Sequence, residues 1–116
     1  MELYVFGKYE EAALKFEEAI SYFAYDDLYY LYLSLSLAKL GREEEIREVI
    51  FDGFNYVDSP ELKFIYGDQL ARERECESAL RFFKLSEITE LFGYEVKHYE
   101  KCFDPKRPFF LYLEEN

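Results

Sequence analysis

The chain has 116 residues, half of them apolar and a fifth Phe or Tyr, enough for one domain that buries roughly two thirds of its unfolded surface. It carries 25 acidic and 14 basic residues, a net charge of −11. That balance argues against nucleic acid and anionic membrane as partners, because both demand a basic face.

Met1 to Phe6 is apolar apart from Glu2 and too short for a full helix before Gly7. It lacks a basic stretch ahead of an apolar run, so no secretory leader is expected. Gly7 then opens a turn followed by an amphipathic helix to about Tyr25. Tyr9, Ala12, Ala13, Phe16, Ala19, Ile20 and Phe23 share one face at helical spacing, while Glu10, Glu11, Glu17 and Glu18 fall away from it and Glu11 pairs with Lys15. Asp26 and Asp27 supply an N-cap for the next element.

Residues 28–40 carry two signals. Leu31 to Leu37 alternates as a strand would, but it holds no β-branched residue, and Leu, Ala and Lys favour helix. The reading is a helix, apolar nearly all round and therefore buried on most sides. Gly41 ends it as a C′ residue. A helix from Arg42 to about Asn55 follows, with Ile46, Val49 and Ile50 inward, Glu43 paired to Arg47, and Gly53 weakening its interior. Ser59 as N-cap and Pro60 at the first helical position start a helix over 60–73 that buries Leu62, Ile65, Tyr66 and Leu70. The helix over 75–91 buries Ala79, Leu80, Phe83 and Ile88. Beyond Gly93, Tyr94 to Phe103 reads as a short last helix stopped by Asp104-Pro105, and the tail over 104–116 is extended and aromatic.

The stretch from Leu28 to Leu40 is the longest apolar run and is too short to span a bilayer. Cys76 and Cys102 have no ligand-spaced Cys or His beside them, so zinc is not expected, and they read as free thiols in a reducing cytosol. A soluble, cytoplasmic protein follows as the expectation. One Gln, two Asn and one Met among many Glu, Tyr and Arg resemble the usage of heat-adapted proteins.

A repeat runs through these elements. Gly7 and Gly41 are 34 residues apart, and Arg74 matches them 33 further on. Ala12-x3-Phe16-x2-Ala19 aligns with Ile46-x3-Ile50-x2-Gly53 and with Ala79-x3-Phe83-x2-Ser86, the last position small each time. Tyr30-x2-Leu33-Ser34-x2-Leu37 aligns with Lys63-x2-Tyr66-Gly67-x2-Leu70. A small residue at such positions lets a neighbouring helix approach closely, which gives Gly53 a packing reason.

These residues resemble the tetratricopeptide repeat, a helix-turn-helix unit, over about residues 7–88. No unit carries Trp at its fourth position, where Tyr30 and Lys63 stand, and the first unit lacks most of its first helix. The resemblance implies an all-α fold of antiparallel helix pairs stacked as a short right-handed superhelix. It comprises a partial unit over 1–25, full units over 27–57 and 60–91, a C-terminal helix over 94–103 and the tail. It also implies a concave groove lined by first helices. Carried over position by position, that groove presents Leu28, Leu31, Leu35 and Lys39 from one unit and Phe64, Asp68 and Arg72 from the next. Leu31 and Leu35 stand where carboxylate-clamping members carry polar residues, so the groove would take an apolar or amphipathic segment of a partner protein. The alternative is that both leucines are simply core.

Glu95-Val-Lys-His98 has the spacing of a pair of metal ligands on a helix, but His98 is the one histidine of the chain, so no site of that kind can be completed within one chain, and nothing else supports one built between two copies. The sequence contains no phosphate loop and no nucleophile-base constellation, and Glu75 and Glu77 beside Cys76 oppose thiolate formation. No enzyme, cofactor, metal or small-molecule substrate is therefore expected. The aromatic tail must be covered, by capping the last helix pair, by lying in the groove, or by self-association through Phe109, Phe110 and Tyr112. The expectation is a protein-interaction module, with a homodimeric structural or assembly protein, or a small chaperone, whose apolar faces are used in self-association as the second reading.

Overall fold

A computed structural model describes residues 2–88, 90, 91 and 93–103. Among the described residues the chain is predominantly helical and has no strand, as an all-α fold requires. Six α-helices follow one another: α1 (Glu2–Val5), α2 (Tyr9–Tyr22), α3 (Asp27–Lys39), α4 (Ile46–Gly53), α5 (Pro60–Arg72) and α6 (Cys76–Ser86). The chain divides into two compact units at Asp58–Ser59, the point where the sequence marks a helix start.

In the first unit α2 packs on α1 and α3, and α3 packs on α4. Ala12, Ala13 and Phe16 of α2 are buried, as are Leu33, Leu35 and Leu37 of α3 and Ile46 and Ile50 of α4. The helical reading of residues 28–40 therefore holds over their alternating pattern. Six of the thirteen residues of α3 are buried, two serines among them, so side chains point into the core from most of its circumference. Gly53 lets α3 and α4 approach closely: a Cβ there would lie 2.9 Å from Cδ1 of Tyr30.

In the second unit α5 packs on α6 and is buried at nine of its thirteen positions. Gly67 plays the corresponding part, since a Cβ on it would meet the Phe83 ring at 2.9 Å and the Ala79 carbonyl at 3.2 Å. Phe83 is fully buried edge-on to Phe64, with ring centroids 5.6 Å apart. Burial of such a ring contributes about 1.5–3 kcal/mol.

The repeat is written in the backbone. Gly7, Gly41 and Arg74 all adopt positive φ, at 76°, 74° and 62°. Each donates its N–H three residues back, to Tyr4, Ala38 and Ala71. The next residue, Lys8, Arg42 or Glu75, donates five residues back, to Leu3, Leu37 and Leu70 at 2.8–2.9 Å. Those three residues also share one N-cap geometry, with φ between −86° and −95° and ψ between 52° and 69°. The same left-handed C-cap thus closes α1, α3 and α5 and turns the chain into the following helix. Asp26 and Ser59, 33 residues apart, both cap with their side chains, accepting from the N–H of Leu28 at 3.0 Å and of Leu62 at 3.3 Å.

Several expectations are corrected. Helix α2 stops at Tyr22, three residues early, and Phe23 lies beyond it at φ −138° and 66 % exposed, so it leaves the apolar face. The Tyr30 hydroxyl donates to the Ala24 carbonyl at 2.8 Å and holds this early turn. Helix α4 is preceded by a 3-10 turn at Glu43–Glu45, in which side chains three apart eclipse, and Arg42 there forms a two-pronged ion pair with Glu45. Helix α6 ends at Ser86, because Glu87 turns left-handed at φ 59° and the Ser86 hydroxyl donates to the Phe83 carbonyl and accepts from the Ile88 N–H. Residues 94–103 form no helix beyond a 3-10 turn at Tyr99–Lys101. The cysteines are not free: Cys76 and Cys102 form a disulfide, with Cα atoms 5.2 Å apart. The case for a reducing compartment rested on free thiols and loses that ground. Among the described residues no helix is long and apolar enough to cross a membrane.

Candidate functional site

The groove positions carried over from the resemblance have unequal standing. On α3, Leu28 and Lys39 are exposed, Leu31 is half-buried and Leu35 is buried. On α5, Phe64 and Asp68 are completely buried and Arg72 is half-buried. Leu35, Phe64 and Asp68 therefore present no surface to a partner, which corrects their assignment to an open groove. Phe109, Phe110 and Tyr112 lie outside the described residues.

Asp68 is buried because its own chain covers it. The segment Tyr94–Phe103 packs on α5. The Tyr94 hydroxyl donates to Asp68 Oδ2 and accepts from Gln69 Nε2 at 3.1 Å, and the His98 N–H donates to Asp68 Oδ1 at 2.9 Å. Burial pushes the Asp68 carboxyl above its ordinary range, against the Tyr94 and His98 hydrogen bonds that favour the carboxylate. Residues 95–97 are irregular, so Glu95 and His98 do not stand side by side on a helix. Among the described residues no group of three or more His, Cys, Asp or Glu is placed to hold a metal ion.

A different surface gathers exposed apolar side chains. Tyr22, Phe23 and Tyr25, at the end of α2 and in the turn after it, are 66–79 % exposed. With Ser21, Ala24, Asp26, Asp27 and Tyr29 they line a cleft of about 600 Å³. Tyr25 also meets the half-exposed Tyr56 edge-on at 5.5 Å. The turn is held at both ends, by the Tyr30 hydroxyl on Ala24 and by the Asp26 side chain capping α3, so the rings are presented by an ordered scaffold. Asp26 and Asp27 also put two carboxylates on the cleft's lining, which holds no basic residue. From Lys15 to Lys39 the chain has no basic residue between, but it has Glu17, Glu18, Asp26 and Asp27. The last turn of α2 holds no basic residue either, so its terminal carbonyls add to the negative potential.

Sequence reading missed this surface because helical periodicity, continued past Tyr22, folds Phe23 into the core. The available signal was the run Tyr22-Phe-Ala-Tyr25 directly before the Asp26 cap: aromatic residues in a turn have no helix face on which to hide. No protein-family model matches this chain, and no curated protein and no solved structure matches it either.

Proposed function

We propose that the chain is a protein-interaction module of helix-turn-helix repeats of the tetratricopeptide kind, and that its first unit docks a basic, amphipathic segment of a partner protein in the aromatic cleft at the α2–α3 turn. The observation that carries this reading is the exposure of Tyr22, Phe23 and Tyr25 around a cleft bordered by Asp26 and Asp27. Exposed aromatic clusters on an ordered scaffold are unusual unless a partner covers them. Tyrosine faces beside carboxylates suit Arg or Lys side chains, with cation–π contacts contributing about 0.5–2 kcal/mol each. Stacking of the repeats into a right-handed superhelix belongs to the same reading.

The test uses a synthetic amphipathic peptide alternating Lys or Arg with Leu, beside a control carrying Glu at the basic positions, each titrated into isotopically labelled protein. The basic peptide is expected to shift resonances of residues 21–29 and Tyr56, and Tyr22→Ser with Tyr25→Ser to weaken it at least ~10-fold. Equal binding of the acidic peptide, or shifts confined elsewhere, would overturn the proposal.

A second reading is self-association. Val5, Phe6 and Leu14 are 61–74 % exposed in and around α1 and α2, an apolar surface that a second copy would cover. Light scattering across a concentration series separates the two: a dimer that dissociates on Phe6→Glu supports self-association, and a concentration-independent monomer removes it.

A further inference from the structure

We infer that the segment Tyr94–Phe103 is a strap over α5, that the Cys76–Cys102 disulfide is its catch, and that reduction frees the strap and uncovers the face of α5 around Asp68 and Gln69. The inference does not depend on the docking proposed for the first unit.

Three kinds of anchor hold the segment. One is covalent, joining Cys102 to the first residue of α6. One is polar, a relay in which Gln69 donates to the Tyr94 hydroxyl, that hydroxyl donates to Asp68, and the His98 N–H reaches the other carboxylate oxygen. The third is apolar, with Phe103 9 % exposed and edge-on to Phe83 at 6.4 Å. The segment has little structure of its own. Its regular features are the isolated bridge between Leu91 and Tyr94 and the 3-10 turn at Tyr99–Lys101. Its order is therefore borrowed from the anchors.

The α5–α6 pair is different. It holds an apolar interior of Leu62, Phe64, Ile65, Leu70, Ala79 and Phe83, and its helices are joined by the left-handed turn at Arg74. The two layers thus separate by stability: a helix pair with its own core, and a cover held at a few points. The covered face is unusual for a core, since it carries a fully buried carboxylate, and Gln69 Oε1 beside it has no hydrogen-bond partner among the described residues.

Both cysteines are only half-buried, so a dithiol reaches them. One thiolate of the reagent attacks one sulfur, the Cys76–Cys102 bond breaks, and a mixed disulfide forms. The second thiol of the reagent then closes that reagent's own disulfide. Two electrons pass from the dithiol to the protein, and both cysteines end as thiols.

The experiment is hydrogen exchange on the full chain, oxidised and then reduced with dithiothreitol. Loop closure across the 26-residue separation predicts that the His98 amide and others of 94–103 exchange at least ~100-fold faster after reduction. Amides of α5 and α6 keep their protection, and reoxidation restores the strap. Unchanged protection at His98 would overturn the inference, because the non-covalent anchors would then suffice. Loss of protection in α5 and α6 together with the strap would also overturn it, because the bond would then staple the whole unit. Cys102→Ser, without reductant, should reproduce the reduced pattern; a strap that stays protected in that variant overturns the inference as well.

Discussion

Arg74 occupies a left-handed backbone conformation that glycine holds at the two equivalent turns, Gly7 and Gly41. A residue with a Cβ is strained there by about 1–2 kcal/mol, partly offset by the greater freedom glycine has in the unfolded chain. Arg74→Gly is therefore expected to stabilise the protein by about 0.5–1 kcal/mol, read as a higher midpoint in denaturant. Asp68 acts at the same scale through its charge. Burial raises its carboxyl above the ordinary carboxylate range, so the folded state holds the proton to higher pH than the unfolded chain does. Its contribution is greatest below the unfolded pKa and is lost as the pH rises through the folded one. The difference in stability between the native chain and Asp68→Asn should thus shift in favour of Asn as the pH climbs out of the acid range. A difference that moves the other way with pH would reject this account. Glu45 has the opposite sign, since the Arg42 guanidinium holds it below its ordinary range, but the pair is partly open to solvent and contributes little.

At the scale of elements, helix starts and stops are set by single residues that satisfy terminal backbone groups. Ser59 is 1 % exposed and its hydroxyl accepts from the Leu62 N–H at 3.3 Å. Ser59→Ala leaves that donor buried and should cost about 1 kcal/mol or somewhat more, measured by denaturant unfolding. These caps were readable in advance: Asp26, Gly41, Ser59 and Pro60 mark boundaries that lie within a residue of those observed. The boundaries that slipped were decided by contacts from afar. Helix α2 ends early because Tyr30, six residues beyond Ala24, claims its carbonyl. The segment after Gly93 is no helix because its donors go to Asp68, some 30 residues back in the chain. No local propensity encodes either bond.

For the whole molecule, the net charge of −11 favours cationic partners and screens away with salt. Binding of the basic peptide should therefore weaken as ionic strength rises, whereas self-association through Val5, Phe6 and Leu14 should strengthen, because salt screens the repulsion between two copies that each carry −11. The opposite pattern would assign the interaction to the apolar surface instead of the aromatic cleft. The repeat is a second property of this scale. Three turns share one hydrogen-bond pattern, although arginine stands at the third where glycine stands at the first two.

Hydrophobic period and capping chemistry, both local, were enough to determine the helical class, the order of α2 to α6 and the repeat, though they also set a helix over 94–103 where only a 3-10 turn forms. They also placed Leu62, Ile65, Tyr66 and Leu70 inside, because a helix must bury one stripe whatever packs against it. Only the tertiary structure decided which surfaces stay open. It put Leu35, Phe64 and Asp68 under cover, left Tyr22, Phe23 and Tyr25 outside, and joined Cys76 to Cys102. Exposure and pairing depend on what the rest of the chain brings alongside a residue, and residues 26 to 30 positions apart in sequence carry no mark of having met.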